Sequence, residues 1–232
     1  MTQFLFPVPL IPAAPVRNRP ERIALRRIFC VGRNYEAHAK EMGVAVDREA
    51  PFYFTKSAEH YVSSGATVAY PPGTTNYQYE LELAVVLGVP AFRIPAERAL
   101  ECVFGYACAL DMTRRDLQLS AREQRRPWDL GKDFEESAVL AEIVPAAAAG
   151  HPRTGALELR VNGEVKQRSD LSLLIHSVPE IVAHLSTFYH LNPGDVIFTG
   201  TPEGVGPVKP GDQLEGSIAG VGTISLSIGT AL

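Results

Sequence analysis

Tyr77-Gln78-Tyr79-Glu80-Leu81-Glu82-Leu83-Ala84-Val85-Val86-Leu87 reads as an extended strand, and its register decides how the rest of the chain is read. Successive side chains of a strand point to opposite faces, so Glu80 and Glu82 share one face while Leu81, Leu83, Val85 and Leu87 share the other. The glutamates' own face continues as Ala84, Val86 and Gly88, the pattern of a strand buried on both sides. Same-face neighbours lie only about 6.5 to 7 Å apart. Two desolvated carboxylates at that spacing must protonate, find cations or coordinate a metal. The alternative is a strand end at which both glutamates face water.

A third carboxylate bears on that choice. Val103-Phe104-Gly105-Tyr106-Ala107-Cys108-Ala109-Leu110 is long enough for a buried strand, and it ends at Asp111. Thr113-Arg114-Arg115-Asp116 has the spacing of a capping box with Asp in the acidic position, which predicts a helix running through about Gln124. Asp111 then stands where a core strand gives way to a helix, a place where sheets present functional groups. Together Glu80, Glu82 and Asp111 offer an all-oxygen, triply anionic site of the kind that suits Mg2+, Mn2+ or Ca2+.

The 232 residues, 46% of them hydrophobic, suffice for a sizeable core. The expected organisation is a proline-rich arm over residues 1–25, carrying Arg17, Arg19 and Arg22, and a single domain over residues 26–232. With 19 glycines and 18 prolines and no repeat or low-complexity tract, a strand-rich fold with many sharp connections is favoured. The net charge of −4 gives no reason to expect nucleic acid. Cys30, Cys102 and Cys108 lie in apolar runs and read as buried free thiols of a reducing compartment. No apolar stretch approaches the ~20 residues that span a bilayer. The prolines at 7, 9, 12 and 15 fit neither a signal peptide nor a transit helix, so a cytoplasmic enzyme without a membrane partner is expected.

Along the chain, Arg27-Ile28-Phe29-Cys30-Val31 reads as the first core strand, turning at Gly32 into about two helical turns from Asn34 that a glycine, Gly43, closes. His38 and Glu41 are three apart and meet on one face of that helix, where a carboxylate orients an imidazole and raises its basicity. They are candidates for a general base; a solvated surface pair is the alternative. Pro51 to Lys56 reads as a strand, and Arg125 to Phe134 as a helix-ending loop that places Lys132 after a glycine, ordinarily a solvated position. Asn162-Gly163 between two alternating runs is a hairpin signal. Pro179 to His190 reads as an amphipathic helix with Ile181, Val182, Leu185 and Phe188 on its apolar side, and His176, His184 and His190 show no ligand spacing. Asp195 to Gly206 is a strand entering a glycine-rich turn with Thr201 at its mouth, and Asp212 to Ile228 alternates like a closing hairpin.

Taken in order, these motifs resemble the fumarylacetoacetate hydrolase family. The resemblance covers about residues 26 to 229. It rests on Val31-Gly32-Arg33-Asn34-Tyr35 with His38 and Glu41, on Tyr79-Glu80-Leu81-Glu82, and on Gly105-Tyr106 leading to Asp111 with Arg115 and Gln118. Gly131-Lys132 and Thr199-Gly200-Thr201-Pro202-Glu203-Gly204-Val205-Gly206 complete the set. Cys30 to Gly43, followed by Asp47-Arg48-Glu49-Ala50-Pro51-Phe52, is most similar to members that hydrolyse fumarylpyruvate in aromatic, gentisate-type catabolism. The resemblance implies a strand-rich α+β fold, a mixed β-roll with a few short helices, as one catalytic domain and usually a homodimer. It implies Mg2+ or Mn2+ on Glu80, Glu82 and Asp111, catalytic roles for His38, Glu41 and Lys132, and substrate contacts from Arg33, Arg115, Gln118 and Thr201.

The expected reaction is metal-dependent cleavage of a carbon-carbon bond in an acylpyruvate, fumarylpyruvate giving fumarate and pyruvate. Oxaloacetate decarboxylation and dienedioate isomerisation are the alternatives within the family. In the expected mechanism His38 activates water, Lys132 stabilises a developing enolate and Thr201 donates to an oxyanion. Arg33, Arg115 and Lys56 are the candidate partners for a second carboxylate of a small dicarboxylate substrate.

Overall fold

The computed structural model describes residues 3–43, 48 and 50–231. Asp47 and Glu49, part of the run compared above, lie outside the described residues. A short hairpin, β1 (Ala13–Pro15) and β2 (Arg22–Ala24), precedes β3 (Arg27–Gly32), helix α1 (Glu36–Glu41) and β4 (Phe52–Lys56). Next come β5 (Tyr61–Ser63), β6 (Thr67–Tyr70), β7 (Tyr77–Tyr79), β8 (Leu81–Leu87), α2 (Ala96–Ala99) and β9 (Val103–Asp111). They are followed by β10 (Thr113–Arg114), α3 (Arg115–Glu123), α4 (Asp129–Lys132), β11 (Ala138–Leu140), β12 (Val144–Pro145) and α5 (Ala146–Ala149). The chain ends with β13 (Ala156–Val161), β14 (Glu164–Asp170), α6 (Val178–Phe188), β15 (Asp195–Phe198), β16 (Gly206–Pro207), β17 (Gln213–Ile218) and β18 (Gly222–Ala231).

The central sheet runs β4-β3-β15-β8-β9-β11-β5, with β12 added on β9, and a second sheet runs β14-β13-β17-β18-β6. Parallel pairs, β3 with β15 and β11 with β5, sit among antiparallel ones, so this is a strand-rich mixed β-roll with short helices. No helix among the described residues is long and apolar enough to cross a membrane.

The side-chain alternation of β8 fixes what each face of the central sheet meets. Leu81, Leu83, Val85 and Leu87 join Tyr106, Cys108 and Leu110 of β9 in the larger core, shared with the second sheet and with Ile181, Val182 and Leu185 of α6. Ala84 and Val86 face the other way, with Ala107, Ala109 and Ala138, under Ala14, Val16 and Leu25 of the N-terminal segment. All seven residues of β8 are buried. Each large apolar side chain buried there contributes about 1.5–3 kcal/mol, against which the desolvation of a carboxylate in the same strand counts as a cost. Glu82 has the parity of Ala84, and Asp111 that of Ala107 and Ala109, so both carboxylates leave the same face of neighbouring strands.

Three local readings change. The 77–87 stretch is two strands broken at Glu80: β7 pairs with β10 and β16 in a separate small sheet, while β8 enters the central one. The capping box at Thr113 and Asp116 does not form. The Thr113 hydroxyl donates to the Asp111 carbonyl, and Asp116 accepts from the Thr74 hydroxyl (2.5 Å) and the Thr75 N–H (2.9 Å). A box interaction does appear at the start of α6, where Glu180 accepts from the Ser177 N–H (2.7 Å) and hydroxyl (2.6 Å). Phe188, expected on the apolar side of that helix, is 66% exposed because it falls on the last turn, beyond the core.

Candidate active site

Where β8, β9 and the break at Glu80 meet, Glu80, Glu82 and Asp111 each place a carboxylate oxygen within 4.8 Å of the others. All three residues are buried. Lys132, far from the solvated position its sequence context implied, is buried with Nζ 2.8 Å from both Glu80 Oε2 and Asp111 Oδ2 and 2.7 Å from Thr113 Oγ1. Arg115 donates to Glu80 Oε1, to Gln78 Oε1 (2.9 Å) and to Gln118 Oε1 (2.5 Å). Lys56 lies beneath the cleft: Nζ is 2.9 Å from Asp111 Oδ1, an ion-pair distance without hydrogen-bond alignment, and donates to the carbonyls of Met112 (3.0 Å) and Lys132. It is committed to the floor and not to a distal substrate group.

Glu82 is the exception in this array. No cation pairs with it among the described residues, and its hydrogen bond comes from the Gly200 N–H at 2.6 Å. Gly200 has φ +99°, and a Cβ there would stand 2.7 Å from Asn34 Cβ, so only glycine brings its N–H this close. Burial, with the Asp111 and Glu80 charges adding to it, pushes the Glu82 carboxyl well above the usual range. Burial acts the same way on Glu80, but Lys132 and Arg115 outweigh it and hold that carboxyl well below. Burial alone would lower Lys132, yet Asp111 and Glu80 outweigh it and keep the ammonium charged. Three hard oxygen donors, one of them a buried carboxylate without a cation, fit a divalent ion such as Mg2+ or Mn2+.

His38 is buried on α1, with Nδ1 3.2 Å from Glu41 Oε2, and Glu41 Oε1 accepts the Gly204 N–H at 3.1 Å. Burial raises the Glu41 carboxyl, but the bonds from His38 and Gly204 outweigh it and hold it below its ordinary value, so it stays ionised. A six-residue helix does not hold itself in water. Asn34 anchors its start, donating to the carbonyls of Thr199 (2.8 Å) and His176 (2.9 Å) and accepting the His176 N–H (2.7 Å). Glu41 lies outside the cleft lining and reaches it through His38.

Glu80, Glu82, Lys132, His38 and Thr201 line the cleft together with Arg115, Gln118 and Arg122 of α3, and Arg33, Phe52, Phe54 and Trp128 are among the other lining residues. The expected site residues therefore converge, Asp111 lying just beneath. Thr201 does so in a different role: its hydroxyl donates to the Leu81 carbonyl (2.9 Å) and accepts from Gln167 Nε2 (2.9 Å), so its proton is not available for an oxyanion. Arg122 and Gln167 were missed. Arg115, Gln118 and Arg122 stand at i, i+3 and i+7 of α3, a shared helical face visible in the spacing. Gln167, which also accepts the Leu81 N–H at 3.0 Å, carried no signal, because its run reads as an ordinary hairpin strand.

Residues 27–228 match the family described as fumarylacetoacetate (FAA) hydrolase, C-terminal. A fumarylpyruvate hydrolase from Ralstonia sp is 55% identical over 192 residues, spanning 82% of this chain and 100% of the relative. A mitochondrial oxaloacetate tautomerase from Homo sapiens is 40% identical over 203 residues, spanning 88% of this chain and 91% of the relative. The crystal structure of fumarylpyruvate hydrolase from Pseudomonas aeruginosa in complex with Mn2+ and pyruvate is similar with a TM-score of 0.95 at 47% identity, covering 98% of this chain and 100% of that one.

Proposed function

The chain belongs to the fumarylacetoacetate hydrolase family, and from that premise we propose that it is a metal-dependent hydrolase that cleaves fumarylpyruvate to fumarate and pyruvate. The observation that carries this reading is the cleft itself, in which an acidic triad with one cation-free carboxylate faces a histidine held by a glutamate. The substrate follows from the 55% identity to the Ralstonia enzyme.

Glu80, Glu82 and Asp111 would hold the divalent cation, Mg2+ or Mn2+, which would supply Lewis-acid polarisation of the substrate's 2-oxo acid group. Glu41 keeps His38 in the Nδ1–H tautomer, leaving Nε2 to take a proton from water as the water oxygen adds to the carbonyl distant from the carboxylate. The carbon-carbon bond then breaks, fumarate keeps the water oxygen, and the electron pair leaves on pyruvate as its enolate, which recovers the proton. The Lys132 ammonium offsets the enolate charge as it develops. Arg115 fixes Glu80 and, by holding Gln118 Oε1, leaves the Gln118 amide to donate to substrate. Thr201 shapes the pocket wall beside the Gly200 turn.

The wider setting belongs to the same proposal: a single catalytic domain over 26–232 behind an arm over 1–25, a homodimer, a cytoplasmic location and a role in aromatic catabolism. Buried free thiols at Cys30, Cys102 and Cys108 support a reducing compartment. Oxaloacetate chemistry is the competing reading, favoured by the 40% identity to the tautomerase. The deciding measurement is kcat/KM for fumarylpyruvate, acetylpyruvate and oxaloacetate side by side, with and without chelator. Fumarylpyruvate is expected to lead, with turnover lost on chelation; oxaloacetate in first place overturns the assignment.

A further inference from the structure

Two guanidinium groups of the cleft have no task in the chemistry assigned above. Arg33 and Arg122 both line it, and neither pairs with a carboxylate among the described residues. Arg33 sits in the left-handed backbone region (φ 57°), an uncommon conformation for a long side chain and one associated with functional sites. Its guanidinium lies 5.3 Å from the Phe52 ring and 6.0 Å from that of Trp128, and those two rings meet edge to face at 5.4 Å. A Cβ on Gly32 would stand 2.0 Å from the Phe52 ring, so the glycine lets this aromatic support close over the strand end. Arg122 comes from α3, where Nη1 donates to the Met42 carbonyl at 3.2 Å.

The other cations in and beneath the cleft are occupied: Lys132 and Arg115 by Glu80, Lys132 also by Asp111, and Lys56, beneath it, by Asp111. Burial, and secondarily the charge of Arg122, lower the pKa of Arg33 from its ordinary value, as expected when two cations share a partly desolvated wall without a counter-ion. Such a wall is complementary to an anion that arrives from outside. Phe52, Phe54 and Trp128 also line the cleft, and their flat apolar surfaces suit a planar unsaturated chain.

We infer that Arg33 and Arg122 form a two-arginine receiver for a second carboxylate of the substrate, so that the enzyme selects acylpyruvates ending in a carboxylate over those ending in a methyl group. This rests on the acylpyruvate reading of the cleft. The test compares wild type with Arg33→Gln, Arg122→Gln and Arg122→Lys. The first readout is the ratio of kcat/KM for fumarylpyruvate to that for acetylpyruvate. The second is calorimetric binding of fumarate, and of the monoanion acrylate, to the metal-loaded protein. The ratio is expected to fall about ten- to hundredfold in each Gln variant, chiefly through KM, with a parallel loss of fumarate affinity and none for acrylate. Arg122→Lys, which keeps a donor near Met42, is expected to fall between the two. An unchanged ratio with unchanged fumarate binding overturns the receiver and leaves the hydrolase reading standing. Failure of wild type to turn over either acylpyruvate, with fumarate binding still weakened in the Gln variants, overturns the reaction and keeps the receiver. Unfolding temperatures of all variants separate lost binding from lost fold.

Discussion

Glu82 carries the charge balance of the cleft. Glu80 and Asp111 each have cations at contact distance, whereas Glu82 has a single backbone N–H, so under the proposed function this is the residue at which a divalent ion would complete the array. Glu82→Ala is therefore expected to abolish turnover and to weaken Mn2+ binding by more than about a hundredfold while leaving the far-UV spectrum unchanged; full activity in that variant would sink the assignment. His38→Ala is expected to lower kcat by roughly 10² to 10⁴ with Mn2+ affinity retained, since His38 Nδ1 faces Glu41 and not the acidic triad. A collapse of Mn2+ affinity would make His38 a ligand instead. At this scale the carboxylates and the His38–Glu41 pair were legible because strand and helix periodicities act over a few residues. The lysines were not. Lys56 at a strand end and Lys132 after a glycine give no local sign of burial, which is created by contacts with Asp111, 55 and 21 residues away in the sequence.

Elements show where local spacing misleads. Thr113-x-x-Asp116 imitates a capping box, yet each residue finds a better partner in space: Thr113 joins β10 against β7, and Asp116 ties the Thr74–Asn76 turn to the start of α3. That tie fixes the approach of Arg115, whose N–H donates to the Asn76 carbonyl at 2.8 Å, and so places Arg115 against Glu80. Asp116→Ala is expected to destabilise the protein by about 1 kcal/mol, read as a lower urea midpoint. Burial acts to raise the Asp116 carboxyl, but hydrogen bonds from Thr74, Thr75 and Leu117 outweigh it and depress the folded value. The stabilisation is therefore complete above the unfolded value, about 3.9, and is lost as pH falls through the lower folded value. The gap in urea midpoint between wild type and Asp116→Ala should be present at pH 7 and shrink below about pH 4; a gap independent of pH would mean that the carboxylate's charge contributes nothing. The break at Glu80 escaped a local reading for the same kind of reason. Alternation continues across it, and only the partners, β10 and β16 on one side and β9 and β15 on the other, divide the stretch.

At the scale of the whole molecule, burial on both faces of β8 was legible, but the strand order was not: β3 pairs with β15, which follows it by more than a hundred residues, and no local pattern encodes that partner. The β-roll came from the ordered set of motifs, and it brings Glu80, Glu82, Asp111 and Lys132 together out of three strand ends and a helical turn. Because the apolar core on the opposite face of β8 holds this arrangement, the fold is expected to survive removal of the cation while losing the stabilisation that binding adds. A ligand that binds only the folded state adds about 2.7 kcal/mol at a hundred times its dissociation constant. For a chain of 232 residues that corresponds to a rise in Tm of roughly 5 to 10 °C. Scanning calorimetry of chelated protein, with Mn2+ then added to that excess, should show a cooperative transition in both states and an upward shift of this size, absent in Glu82→Ala. A chelated protein without a cooperative transition would show that the cation is needed to build the β-roll, and equal Tm values with and without Mn2+ would show that the triad does not hold it.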